Sequence, residues 1–305
     1  CTGLITVLFE PGINITSINN SAFQNCTVLT GITIPNTVTT IGTEVFRSCT
    51  GLKSLSITTI NTPLTMGNMA FYQCTGLTSV SIPYYISNYL SSSNWFVSCG
   101  QIKTVTFVTA GSDFTRTMLN WWLDTGFSGS TINNIIIGTN FTSIGNSAFR
   151  DRTVLTSVTI PNTVTTIGTQ AFIRCTGLKT VLFDDVSTLT SIGDYAFQSC
   201  TVLAGITIPN TVTTIGVQAF QSCAGLITVL FEPGINITSI EVSVFNGCTG
   251  LTSVSIPNTV TTIGLSAFQG CTGLITVLFD GNSILTTINN SAFQNCTVLT
   301  GITIP

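Results

Sequence analysis

The 305-residue sequence contains no histidine, and only 6% of its residues are charged. An average soluble domain carries about 25% charged residues. The missing histidine removes the commonest general base and the commonest metal ligand together. Eight Lys+Arg against eleven Asp+Glu give a net charge of -3. That leaves no basic footprint for nucleic acid and no polybasic patch for anionic lipid. No apolar run of about 18 residues occurs, so no membrane insertion is predicted, and no signal peptide opens the chain. No Gly-rich phosphate loop follows a strand and no Gly-x-Ser-x-Gly elbow appears. Gly126-Phe127-Ser128-Gly129 has the wrong spacing for one. Carboxylates such as Asp184-Asp185, Asp194 and Glu241 are few, and no repeated acid marks a calcium motif. Neither an enzyme nor a cofactor or metal is expected.

What the sequence has is repetition. Cysteine falls at 1, 26, 49, 74, 99, 175, 200, 223, 248, 271 and 296, in steps of 25 or 23 with one gap of 76. Inside the gap, Arg152 follows Phe149 at the interval by which Cys26 follows Phe23, and Gly129 is the other substitute. This gives twelve whole repeats of about 23–25 residues and a fragment, read as one solenoid over 1–305 with an irregular segment at 83–134. Each repeat carries an apolar trio such as Leu29, Ile32 and Ile34, a pair such as Val38 and Ile41, and an Ala-Phe-x-x-Cys ending. The trio is β-branched and fits a short strand that Pro35 ends. Gly42 is placed to supply a turn with positive φ. Thr43 to Arg47 is too short for a helix and suits a helical turn. The period fits one turn of a leucine-rich solenoid, about 20–29 residues. The predicted fold class is therefore an α/β-type but strand-dominated repeat. It is a curved leucine-rich-repeat solenoid with a parallel β-sheet on its concave face and short or helical turns on its convex face.

The segment Leu251 to Cys271, Leu-Thr-Ser-Val-Ser-Ile-Pro-Asn-Thr-Val-Thr-Thr-Ile-Gly-x-x-Ala-Phe-x-x-Cys, closely resembles the BspA-like (Treponema-type) leucine-rich repeat. The resemblance covers nearly the whole chain and weakens between about 83 and 134. Members of that family are typically surface proteins of bacteria, protists and some large viruses, associated with adhesion, and the resemblance implies that role here. Both ends of the sequence fall inside a repeat without a polar cap, which implies a window of a longer protein. Residues 1–35 and 271–305 agree at 28 of 35 positions, the mark of duplication.

Two surfaces are candidate interaction sites. On the sheet face, short repeats expose Thr and Ser, as at Thr252, Ser253 and Ser255. Long repeats expose aliphatic residues at Ile5 and Leu8, Ile227 and Leu230, and Ile275 and Leu278. The face is thus uncharged and striped, either a partly covered sheet or a sticky surface. The irregular segment gathers Tyr84, Tyr85, Tyr89, Trp95, Trp121 and Trp122. These are either hot-spot aromatics or large fillers of a decayed repeat. The run 113–123 is read as a short amphipathic helix. The cysteines are far apart in sequence, and stacking brings them about 5 Å apart, within disulfide range. Replacement by Gly129 or Arg152 favours buried free thiols instead. Sequons at Asn14, Asn19, Asn25, Asn140, Asn236, Asn289 and Asn295 are candidate glycan acceptors.

The functional expectation is a cell-surface or extracellular interaction and adhesion module that binds a protein or glycan ligand on a cell or matrix. One rival is a structural protein that binds copies of itself into a fibre, sheath or virion appendage, which low charge and open stacking favour. A lesser rival is ice binding through threonine rows, against which the interrupting Ile, Leu and Lys residues weigh.

Overall fold

The computed structural model describes residues 1–58, 64–83, 94–108, 112–121, 123, 127 and 131–304. They form two compact units, one of residues 1–112 and 117–140, the other of 113–116 and 141–305. Each is a strand-dominated solenoid of parallel sheets. In the first unit the longer strands Gly31–Ile34, Ser54–Ile57, Ser79–Pro83, Thr104–Val108 and Asn134–Ile137 pair in that order. A narrower sheet joins Ser17–Ile18, Thr40–Ile41 and Thr65–Met66. In the second unit Gly205–Ile208, Thr228–Phe231, Ser253–Ile256 and Thr276–Phe279 pair in sequence, as do Ser157–Ile160 and Thr180–Phe183. The register fixes the turn length. Gly31 faces Ser54 (54 − 31 = 23) and Ser54 faces Ser79 (79 − 54 = 25). Thr104 faces Asn134 (134 − 104 = 30), so the expanded repeat after Cys99 is one long turn.

Strand alternation follows from side-chain chemistry. Ile32 and Ile34 are buried while Thr33 between them is exposed. Successive strand residues point to opposite faces, so an apolar–hydroxyl alternation buries one face only. Pro35 follows its strand directly, as expected of a residue without an N–H. The narrow sheet carries its own hydroxyl row. Thr165 donates through Oγ1 to Thr142 O at 3.1 Å, and Thr190 to Thr165 O at 3.0 Å.

The third side of each turn is not helical, which corrects the expected helical turns. Left-handed residues recur twice per turn, at Glu44 (φ 56°) and Ser48 (φ 60°), and at Gln218 (φ 56°) and Ser222 (φ 59°). Two such residues four apart cannot belong to a right-handed helix. They let alternate N–H groups point along the stack. Ser21, Phe23 and Asn25 donate to the carbonyls of Thr43, Val45 and Arg47 at 3.0, 2.9 and 2.9 Å. The residues between them close local turns, as Ala22 N does to Asn19 O at 3.3 Å. The backbone thus makes a third inter-turn ladder, whose hydrogen bonds offset the cost of the left-handed conformations. The helix expected at 113–123 is shorter: Ser112–Phe114 is a strand and the helix covers Arg116–Trp121. No helix among the described residues is long and apolar enough to cross a membrane.

Gly42 is needed for a different reason from the one its sequence suggests. Its φ is not positive. A Cβ there would lie 2.5 Å from Asn20 Oδ1, the atom that accepts a hydrogen bond from Thr43 N. Gly216 repeats the arrangement: a Cβ would meet Asp194 Oδ1 at 2.4 Å and Asp194 N at 2.5 Å. We expect Gly216→Ala to cost about 1–3 kcal/mol, the range for overpacking, and Gly281→Ala, with open space around it, to be near neutral. Urea melts of the two variants check this, and equal midpoints would remove the close-approach explanation.

Phenylalanine and cysteine build the core beneath that third side. Phe149, Phe172, Phe197, Phe220, Phe245, Phe268 and Phe293 form consecutive stacked pairs, with Phe172 and Phe197 at 5.0 Å and 2°. A second stack runs through Phe23, Phe46, Phe71 and Phe96. The cysteines are free, and all but Cys1 and Cys296 are fully buried. From Cys49 onward they do more than fill space: each donates its thiol hydrogen to the phenylalanine carbonyl of the preceding turn. Cys175 Sγ lies 3.0 Å from Phe149 O, and Cys223 Sγ 3.1 Å from Phe197 O. That carbonyl also accepts its own cysteine's N–H, as Phe197 O does from Cys200 N at 3.1 Å. Both lone pairs of a buried oxygen are thereby used. Arg152 does occupy a cysteine position, since its N–H reaches Phe149 O at 3.1 Å. Gly129 lies outside the described residues.

Candidate interaction surface

The exposed face of the longer strands in the second unit is ordered in alternate rows. Leu182 lies on Thr180–Phe183, Leu230 on Thr228–Phe231 and Leu278 on Thr276–Phe279, exposed by 55%, 59% and 55%. Register places Thr207 beside Leu230 and Ser255 beside Leu278. Large aliphatic and small hydroxyl residues therefore alternate turn by turn. Ile227 and Ile275 extend the apolar rows and are exposed as expected. Sequence reasoning missed Leu182, because Lys179 stands where its relatives have Ile227 and Ile275. The Phe183 that follows it, in phase with Phe231 and Phe279, is the signal that finds it.

The alternation cuts grooves. One, of 480 Å³, runs over Gly205 and Thr207 between Leu182 and Leu230. The next, of 410 Å³, runs over Ser253 and Ser255 and reaches Leu230 and Leu278. Both end in carboxylates, Asp184 and Glu232 at the first, Glu232 and Asp280 at the second. One acid per pair of turns therefore recurs at the groove ends, a single carboxylate at each place rather than a calcium motif. These acids follow the strand-ending phenylalanine at 184, 232 and 280, in steps of 48 (232 − 184 and 280 − 232). Backbone and hydroxyl donors hold them in place. Asn210 N donates to Glu232 Oε2 at 3.0 Å, Asn162 N to Asp184 Oδ2 at 3.3 Å, and Ser255 Oγ to Asp280 Oδ1 at 2.6 Å.

The first unit presents a different face. Ile5 and Leu8 are exposed, but the strands that follow offer Thr33, Ser56, Ser81 and Thr106 in register. Its groove of 620 Å³ therefore has one aliphatic wall and a broad hydroxyl floor.

The aromatic candidates separate. Trp95 is fully buried and its Nε1 donates to Met66 O at 3.2 Å. Its full burial makes it a packing residue rather than an exposed hot spot, and a backbone carbonyl satisfies the indole N–H. Tyr84, Tyr85, Tyr89 and Trp122 lie outside the described residues, as does the side chain of Trp121. Among the sequons, Asn14, Asn19, Asn25, Asn236, Asn289 and Asn295 are exposed and Asn140 is half-buried. Asn25 and Asn295 hold left-handed positions on the third side, at φ 61° and 63°. No cluster of three or more His, Cys, Asp or Glu able to hold a metal ion occurs among the described residues.

Charged residues on the third side pair with one another. Arg174 Nε meets Asp151 Oδ1 at 2.6 Å, and Arg47 Nη1 meets Glu44 Oε1 at 2.7 Å. The hydrogen bond from Arg174 holds the Asp151 carboxyl below the usual carboxylate range.

Parallel strands of apolar–hydroxyl alternation, repeated every 23 or 25 residues around a phenylalanine stack, define a strand-built leucine-rich-repeat protein. The model of the BspA type leucine rich repeat region matches residues 4–119, 124–236 and 230–305, in six copies. The chain belongs to that family. Comparison with curated proteins finds no match. Among solved structures, the chain is similar to a leucine rich cell surface protein from Faecalibacterium prausnitzii. The two are 28% identical, the match covers 94% of this chain and 82% of that one, and the TM-score is 0.39. It is also similar to the leucine rich repeat protein of T. pallidum (25% identity, 55% and 78% covered, TM-score 0.46). A leucine-rich repeat protein from Eubacterium ventriosum matches at 22% identity, with 95% and 76% covered and a TM-score of 0.44.

Proposed function

We propose that this chain is a non-catalytic interaction module that binds a protein or glycan partner at a cell or matrix surface, through the exposed face of its longer strands. One observation carries the reading: Leu182, Leu230 and Leu278 form a row, each more than half exposed, at the same place on every second strand. A single exposed leucine on a protein surface means nothing. A periodic row on one face is an apolar surface held out of the core by the same register that buries Val181, Val229 and Val277. Thr207 and Ser255 between the rows supply hydroxyls for hydrogen bonds. A chain with 6% charge recognises by shape and apolar contact, with little long-range steering. A surface location agrees with family membership and with this Thr-, Ser- and Asn-rich composition.

The test replaces the row. Leu182→Ser, Leu230→Ser and Leu278→Ser together should leave the melting point nearly unchanged, since all three side chains already face solvent. Binding of the labelled protein to cells or extracellular matrix should fall at least about tenfold, roughly 1.4 kcal/mol. Undiminished binding by a folded triple variant would sink the reading. The same low charge that limits steering also fails to keep copies apart, so self-assembly into a fibre is the second reading.

A further inference from the structure

The chain serves its two units out of sequence order. Residues 113–116 belong to the second unit, although 117–140, which follow them, belong to the first. Two phenylalanines show what this crossing achieves. The strand Ser112–Phe114 pairs with Phe141–Ile144, on the edge opposite Thr166–Ile167. Gly145 N donates to Phe114 O at 2.9 Å, the same bond that Gly168 N makes to Ile144 O at 2.8 Å one turn on. Phe114 is fully buried. Its ring stacks on Phe149 at 5.1 Å and 10°, and meets Phe141 edge-on at 5.0 Å and 68°. Phe127 comes later in the chain and is also fully buried, yet it stacks on Phe96 of the first unit at 4.9 Å and 29°.

A regular turn gives its neighbour two residues at these places. Ile18 pairs with Ile41 on the narrow sheet, its carbonyl taking Gly42 N at 2.8 Å, and Phe23 stacks on Phe46 on the third side. Phe114 does both for the second unit. Its backbone holds the isoleucine place beside Ile144, and its ring reaches the phenylalanine place on Phe149. Each turn of a solenoid buries its apolar face only against its neighbours, so a turn without that cover would leave Phe141 and Phe149 unpacked on one side. The long turn that runs from Thr104 to its register partner Asn134 has chain to spare. It spends Phe114 on the second stack and Phe127 on the first.

We infer that residues 113–116 are a strap, lent by the long turn to the second unit, that closes that unit's first turn over Phe141 and Phe149 and makes its stability depend on the turn that lends it. The two phenylalanines work against their order in sequence: Phe114 serves the later unit and Phe127 the earlier. Any change in the long turn that shifts the strap is passed to Phe149, and through the stack to Phe172, which lies 4.7 Å from it. The inserted residues of the irregular repeat thereby gain a role as a conformational link.

Hydrogen exchange of the full chain, read peptide by peptide in a mass spectrometer, tests this with two variants. Phe114→Ala should speed exchange of the amides in 141–152 at least about tenfold, because loss of a large buried aromatic lowers local opening free energy. The amides of 94–108, nearer in sequence, should stay within about twofold of wild type. Phe127→Ala should do the reverse, speeding 94–108 and sparing 141–152. Phe114→Leu keeps an apolar cover and the backbone bond to Gly145. It should speed the same 141–152 amides by a smaller factor, and it carries the test if the alanine variant does not fold. Unchanged exchange in 141–152 on loss of the Phe114 ring would overturn the inference. So would faster exchange in 94–108 from the Phe114 variants, or one common pattern from Phe114→Ala and Phe127→Ala, since each would place Phe114 in the unit that surrounds it in sequence.

Discussion

Phe197→Ala should lower the stability of the second unit by about 3–5 kcal/mol, the range for deleting a large buried aromatic side chain. Phe197 is fully buried and its ring stacks on Phe172 at 5.0 Å and on Phe220 at 5.3 Å, with interplanar angles of 2° and 1°. Truncation removes two stacked contacts, each worth about 0.5–1.5 kcal/mol beyond area burial, and opens a cavity between turns whose backbones are tied to one another. Phe197 N donates to Ala219 O at 2.7 Å and Cys223 Sγ to Phe197 O at 3.1 Å, so the neighbouring turns cannot collapse into the space. Each turn of a solenoid touches only its neighbours, and a central defect therefore also weakens cooperativity. A urea titration followed by circular dichroism should show an earlier midpoint and a broadened or split transition. A loss below about 1 kcal/mol with a sharp single transition would show that the phenylalanine stack is not what couples the turns.

Alkaline pH should unfold the protein unusually readily. Burial pushes the thiols of Cys175, Cys223 and Cys271 up to about 12 from the ordinary 9.0. Burial also raises Cys200 and Cys248 well above that value. Below pH 9 these thiols are protonated in both folded and unfolded chains, and pH has no leverage through them. Above pH 9 only the unfolded chain ionises them, so it binds fewer protons and gains stability relative to the fold. The loss amounts to about 1.4 kcal/mol per thiol for each pH unit between 9 and 12. The melting temperature should hold to about pH 9 and then fall steeply, and Cys223→Ala should make the fall shallower. In the native protein at neutral pH an alkylating reagent should label exposed Cys1 quickly and the buried thiols only on unfolding. A flat melting temperature through pH 10, or buried thiols that label as fast as Cys1, would contradict the buried hydrogen-bonded ladder.

The inward trio of Leu29, Ile32 and Ile34 was legible because a period of two is written in side-chain polarity. The cysteine phase was legible because Ala-Phe-x-x-Cys recurs. The left-handed positions were not legible. Glu44, Met69, Tyr195 and Ser222 share no chemistry that announces a positive φ; inter-turn hydrogen bonding imposes it. The same stacking explains why Gly42 was read for conformational freedom although it is required by the Asn20 side chain of the adjacent turn. Trp95 misled because composition marks tryptophan as a binding residue, and whether its ring faces in or out depends on how an irregular turn closes. The acid row escaped because Asp184, Glu232 and Asp280 alternate residue type at a two-turn spacing, longer than the single repeat.

Light scattering across a concentration series, with electron microscopy of the same sample, tests the central claim most directly. An outward leucine row meant for a partner of different chemistry predicts a constant monomer mass at all concentrations, unchanged in the triple leucine variant. A mass that climbs with concentration into ordered fibres, and is restored to monomer by that variant, would contradict the account and make the same face a contact between copies.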